Sequence, residues 1–260
     1  MTKPLPTLFI SHGSPMHALD AGAVGEAWAA LGRRYPDPKA ILVASAHWDT
    51  QLPTLTGSAQ PETIHDFYGF PAPLYRIRYA APGAPEVAVR AQQLLQEAAY
   101  TAAIDGSRGL DHGAWSPLLH SHPAAEVPVL QISLQTALGT RHHLRLGRAL
   151  APLADEGVLI IGSGQSTHNL RERTDSDRAM PYVLEFQAWL KDRLESGATE
   201  ELTDYRSRAP HAARAHPTEE HFLPLFVALG AAGKKPRVEH AYDAVENGVL
   251  AMDAYLFHRA

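Results

Sequence analysis

Four short runs along the chain are apolar at nearly every position: Thr7–Ile10, Ala40–Ala44, Val127–Ile132 and Val158–Ile161. A strand with one wet face alternates polar and apolar residues, whereas a strand covered on both faces does not. These runs therefore read as central strands of a covered sheet. Between them lie helical patterns at Ala21–Leu31, Pro85–Ala99, Thr140–Ala154 and Pro181–Leu194, with Pro85 and Pro181 where a first helical turn tolerates proline. Strands alternating with helices predict an α/β fold, a single-domain sandwich with a central, mostly parallel or mixed sheet flanked by helices. The apolar tail Leu250–Phe257 is expected to add an edge strand. Residues Gln51–Ala81 fit no helix and are rich in Pro, Gly, Thr and aromatics. A loop of that length inside a domain is ordinarily functional, so it reads as a pocket wall or lid.

Composition narrows the function classes. No linker of biased composition and no internal repeat divides the chain, so one domain is expected across residues 1–260. There is no cysteine, which excludes disulfides, thiolate catalysis and cysteine-held iron–sulfur clusters. Net charge is −5 with no basic stripe, so no nucleic-acid partner is expected. Met1–Ile10 lacks the pattern of a signal peptide, and no apolar stretch is long enough to span a membrane. A soluble, cytoplasmic protein with no membrane partner is the expectation. Nothing in the pattern specifies an oligomeric state.

Histidine changes the picture, with 15 in 260 residues. His12 follows the first apolar run directly, and His47 follows the second. His168 follows the fourth through the glycine-rich turn Gly162–His168. Open α/β sheets bind ligands beyond the carboxyl ends of their strands. One histidine at such a place is ordinarily a hydrogen-bonded structural residue; three at three strand ends point to one site. Gly13, Gly162 and Gly164 would let the backbone turn sharply or approach a ligand.

A fourth candidate is His221. Thr218 reads as an N-cap, with Glu219 and Glu220 as first-turn acids. Leu225 and Leu229 then lie above His221 at i+4 and i+8, placing it on the inward face, while Glu220 aligns with Pro224 and Ala228. His112, in Leu110-Asp111-His112-Gly113, and His65, in the aromatic loop, are open between turn-forming and functional roles. The remaining histidines, among them His17, His122, His142, His143 and His216, are expected to lie mostly at the surface.

Imidazoles without thiolates suit zinc, iron, copper or nickel. The sequence lacks His-Glu-x-x-His, Gly-x-Ser-x-Gly, a phosphate-binding loop with lysine, and a complete dinucleotide fingerprint. Two reaction classes remain: oxygen activation on iron, and hydrolysis by zinc-bound water.

The segments around His12, His47, Ile64–Pro71, Leu110–Trp115, Gly162–Leu170 and Pro217–Leu225 resemble the class III extradiol ring-cleavage dioxygenases. The branch they look most like is the bacterial and plant DOPA 4,5-dioxygenase type. The resemblance runs in order along nearly the whole chain. It implies an α/β sandwich, non-haem Fe(II), and a catechol such as DOPA or caffeate opened with O₂ to a muconic semialdehyde. His12 and His47 match metal-ligand positions. His168 matches an acid/base position beside the metal, close enough that ligation stays open, and a pKa near neutrality would suit proton transfer. The third ligand is Glu220 or His221; the helix phase favours His221. His112 would position a hydroxyl or stabilise oxygen, while His65, Phe67 and Phe70 would wall the substrate pocket. Zn(II) could fill the same histidines, as in a zinc hydrolase, and a non-catalytic metal-binding relative is the third reading.

Overall fold

The computed structural model describes residues 4–259; the N-terminal stretch read above begins at Met1, outside them. Ten strands are present: β1 Thr7–Ser11, β2 Ala40–Asp49, β3 Thr54–Thr56, β4 Ala103–Asp105, β5 Val129–Leu134, β6 Val158–Gly164, β7 Arg237–Tyr242, β8 Val245–Glu246, β9 Leu250–Ala251 and β10 Ala254–His258. Eight of them form one mixed sheet in the order β4-β3-β5-β2-β6-β1-β10-β7, and β8 and β9 form a separate hairpin pair. The centre, β5-β2-β6-β1, is parallel throughout.

Period-two geometry sorts the apolar runs between two cores. Leu42, Ala44 and Ile160 face one side, packed with Val87 and Leu94 of helix Pro85–Glu97, Leu146 and Leu150 of helix Gly139–Leu150, and Val227 of helix Leu223–Ala231. Ile41, Val43 and Ile161 face the other, against Leu31 of helix Gly22–Arg34 and Trp115 and Leu118 of helix His112–Ser121. Both faces are covered, which is why these strands carry no polar alternation. The sandwich read from the sequence is the fold observed.

Several boundaries differ from the sequence reading. The tail is interior rather than an edge: β10 lies between β1 and β7. The edge is β7, whose polar sequence Arg-Val-Glu-His-Ala-Tyr hides it from an apolar search. The helix expected over Thr140–Ala154 stops at Leu150, and Pro152 opens a separate short turn of helix, because proline cannot donate the bond that continuation needs. The Gln51–Ala81 loop contains β3 and a single 3₁₀ turn, Leu74–Arg76. No helix among the described residues is long and apolar enough to cross a membrane.

Candidate active site

Parallel β1, β2 and β6 end at the same edge of the sheet. Ser11 pairs with Gly164 and Ser45 with Ser163, so His12 and His47 emerge side by side. Their Nε2 atoms are 3.0 Å apart. His221 joins them, with ring centroids 5.4 Å from His12 and 5.0 Å from His47. Each of the three offers a ring nitrogen within 4.8 Å of the others.

Close backbone approach puts His221 there. A Cβ on Gly164 would lie 2.1 Å from the His221 carbonyl oxygen, and one on Gly162 would lie 2.1 Å from that of Pro224. Only glycine lets this segment ride over β6, where Gln165 N–H donates to His221 O at 2.8 Å. These glycines therefore lie within β6 and admit a neighbouring chain segment, not a ligand. His221 also precedes its helix, which starts at Leu223. Thr218 caps nothing; its hydroxyl donates to Glu220 Oε1. The helix-phase argument for His221 had the wrong register, although His221 does face His12 and His47.

The tautomers can be read from the outer partners. Ser163 donates its hydroxyl to Gly113 O, so its Oγ accepts from His12 Nδ1 at 3.0 Å. His221 Nδ1 donates to Glu220 Oε1 at 3.0 Å, and His47 Nδ1 lies 3.5 Å from Asp66 Oδ2. His12 and His221 thus hold a proton on Nδ1 against an oxygen, and His12 and His47 turn Nε2 toward each other. Burial, joined by repulsion among the cluster, holds His12 and His221 well below the usual histidine pKa and His47 at about 3. All three are neutral at neutral pH. Lone pairs converging without protons fit a metal cation, and oxygen-anchored Nδ1 atoms are how metal-ligating histidines are ordinarily oriented.

Beside this trio lie the other candidates. His168 stacks on His221 with centroids 3.5 Å apart and planes 14° from parallel, and its ring makes no hydrogen bond among the described residues. Burial lowers its pKa to about 4, well under the near-neutral value expected from its role. His112 opens its helix 4.0 Å from the His47 ring. Phe67 and Phe70 meet edge to face at 5.3 Å and line the same cavity, of about 230 Å³, as His12, His47, His168 and His221.

Residues 6–252 match the family described as the catalytic LigB subunit of aromatic ring-opening dioxygenase. The chain is 45% identical over 256 residues to a 4,5-DOPA dioxygenase extradiol of Beta vulgaris, covering 96% of each. This chain belongs to the class III extradiol dioxygenases. It is also 37% identical to a 4,5-DOPA dioxygenase extradiol of Escherichia coli K12, over 95% of this chain and 93% of that one. A crystal structure of an uncharacterized protein of Escherichia coli K12 superposes with a TM-score of 0.84 at 32% identity, covering 97% of this chain and 99% of that one.

Against that family background, two candidates lie outside the cavity lining, Glu220 behind His221 and His65 behind Phe67. His65 donates from Nε2 to Ile77 O at 3.1 Å and packs behind Phe67, at 5.8 Å, and Trp115. It braces the aromatic wall rather than facing the cavity. Conversely, Asp66 went unnoticed in the sequence. Its carboxylate accepts from His112 Nδ1 and from the His112 backbone N–H, each at 2.9 Å. Burial pushes its pKa up, but the His112 hydrogen bonds and charge outweigh that and hold it at about 2. The available signal was a carboxylate set among aromatics in a long loop. Gln165, Arg173 and Asn247 also line the cavity and were not singled out.

The buried histidines are a further correction. His17, His122, His142, His143 and His216 are buried, not at the surface. Each has at least one ring nitrogen with a backbone or side-chain partner, as His216 Nε2 has Ser166 O at 2.8 Å, while His216 Nδ1 is buried without one. Such pairings are tertiary and leave no periodic trace.

Proposed function

We propose that this enzyme opens a catechol ring beside its two hydroxyls with O₂, using non-haem iron(II) held by His12, His47 and His221, and releases a muconic semialdehyde. The observation that carries the reading is the convergence of three neutral imidazoles on an open cavity walled by Phe67 and Phe70. Bound there, iron(II) would supply redox-active open positions at which the diol and O₂ can meet.

The chain's own residues do the rest. His168 is neutral and its ring makes no hydrogen bond among the described residues, so it can accept a proton from one catechol hydroxyl and later return it. Asp66 commits His112 to carrying its proton on Nδ1, which leaves Nε2 as an acceptor for the other hydroxyl. Phe67 and Phe70 stack on the ring and keep water from the reacting carbons. DOPA and caffeate are the substrate types this pocket is proposed to take, in keeping with the names its relatives carry.

A three-imidazole donor set also suits zinc, which keeps a hydrolytic reading in view. Anaerobic reconstitution with iron(II) or zinc(II), followed by an oxygen electrode and a catechol panel, separates the two. Iron-dependent oxygen uptake with a yellow product supports ring opening. No uptake with any catechol overturns it.

A further inference from the structure

The cavity lining carries a cation with no ion-pair partner among the described residues. Arg173 lines the cavity, is exposed, and forms no ion pair among the described residues. Acids around it are engaged elsewhere, except Asp175 two residues on, which forms no ion pair among the described residues. Glu172 is held by Arg214 at 2.7 Å, Glu246 by His17 at 3.0 Å, and Asp177 accepts the Asn247 backbone N–H at 2.9 Å. In a chain of net charge −5, a guanidinium left unneutralised on a ligand cavity is conspicuous.

The backbone that carries it is tethered. Thr174 N–H donates to Asn247 O and Met180 N–H donates to Gly248 O, each at 2.9 Å. These bonds tie the Arg173 segment to the β8–β9 turn, where Asn247 adopts a left-handed backbone with φ of 49°. Asparagine tolerates that backbone better than most other non-glycine residues, which suits it to the turn. The turn thereby brings Asn247 to the same cavity as Arg173. One guanidinium plus one amide is a donor set for a monoanion, and guanidinium matches a carboxylate with paired N–H donors.

The geometry points to Arg173, assisted by Asn247, as the residue that recognises a carboxylate on the side chain of the catechol. The inference rests on the ring-opening reading for the word catechol, but the recognition itself is a property of the cavity. Phe67 and Phe70 hold the ring end at the histidines, and Arg173 holds the far end, so the enzyme selects catechols with an acidic side chain over neutral ones.

The test uses ligands that neither need oxygen nor undergo cleavage. Calorimetric titration compares para-hydroxyphenylpropanoate with para-propylphenol, which is similar in size and lacks the charge. The expected result is that the wild type binds the carboxylate about tenfold more tightly, equivalent to about 1.4 kcal/mol. Arg173→Gln brings that ratio close to one, and Arg173→Lys, which keeps the charge but loses the paired donors, retains part of it. Equal affinities in the wild type, undetectable binding of the carboxylate, or a preference that survives Arg173→Gln each overturn the inference. Oxygen uptake has no part in the readout, so an Arg173-dependent preference without ring cleavage would sink the proposed reaction and leave this assignment standing.

Discussion

Asp66 grips His112 twice, accepting from its ring Nδ1 and from its backbone N–H, both at 2.9 Å. The two residues are 46 positions apart, on the aromatic loop and at the first turn of a helix. One carboxylate therefore sets the His112 tautomer and pins the loop that carries Phe67. The same carboxylate lies 3.5 Å from His47 Nδ1. Asp66→Asn keeps the shape and removes the charge, and kcat/KM is expected to fall roughly 10–100-fold, the usual cost of losing an outer partner at such a site. Steady-state kinetics on a catechol checks this; a change smaller than about twofold would contradict the role.

The trio and His168 should separate in a paired measurement of metal content and turnover. His12→Ala, His47→Ala and His221→Ala are each expected to lose bound metal, since each removes one converging lone pair. His168→Ala is expected to keep metal and lose turnover by about 100-fold or more, the range of a missing general acid–base group. Glu220→Gln weakens metal binding without abolishing it, because Glu220 orients His221 and does not replace it. Loss of metal in the Glu220 variant with retention in His221→Ala would reverse the ligand assignment.

Gly164 gives a test of how the site is built. Gly164→Ala would press a methyl group against the His221 carbonyl, 2.1 Å away and backed by backbone. Overpacking of this kind costs about 2 kcal/mol, which for a chain of this size lowers Tm by roughly 4–8 °C. Metal affinity should fall with it, because His221 is displaced. Gly106→Ala, where a Cβ meets nothing, serves as the control and should leave Tm unchanged. Equal melting of the two variants would refute the close-approach account.

Much of the frame could be seen in the chain because physics writes it locally. Leu42 and Ile160 are apolar because helices cover them, and adjacent positions are apolar because helices also cover the opposite face. β7 escaped because it sits at an edge and alternates with charge, and β3 and β4 because three residues carry no period. His12 and His47 could be singled out by their place after apolar runs, although β2 continues through His47 to Asp49. The pairings that orient them could not, since Ser163 with His12 and Asp66 with His112 are 151 and 46 residues apart. His221 was picked for its alignment with Leu225, yet the contact that places it is the one with Gly164, which only the packed sheet reveals.

Buried neutral histidines make the fold sensitive to acid. His143 donates from Nδ1 to Gly139 O at 2.7 Å and accepts from Gln135 N–H at Nε2 at 3.1 Å, so a second proton has no place. Burial lowers its pKa to about 4. The unfolded chain takes up this proton near pH 6.5, before the folded one does. The stabilisation is therefore complete above that pH and is lost as pH falls from about 6.5 to about 4, some 3 kcal/mol in all. Urea denaturation at pH 7.5 and pH 5 should show the loss, and His143→Gln should flatten the slope by about 1.4 kcal/mol per pH unit near pH 5. An unchanged slope would exclude His143 as a contributor.

Loaded with iron(II), the His12–His47–His221 centre is expected to add both atoms of O₂ to a catechol as its ring opens. The most direct measurement is oxygen consumed per catechol consumed by the iron-reconstituted enzyme, with the product analysed by mass spectrometry under isotopically heavy O₂. The account predicts one O₂ per catechol and a ring-opened product heavier than the substrate by two oxygen atoms, with label from the gas. Substrate oxidised without gain of oxygen, or a product whose added oxygen comes only from water, would contradict it.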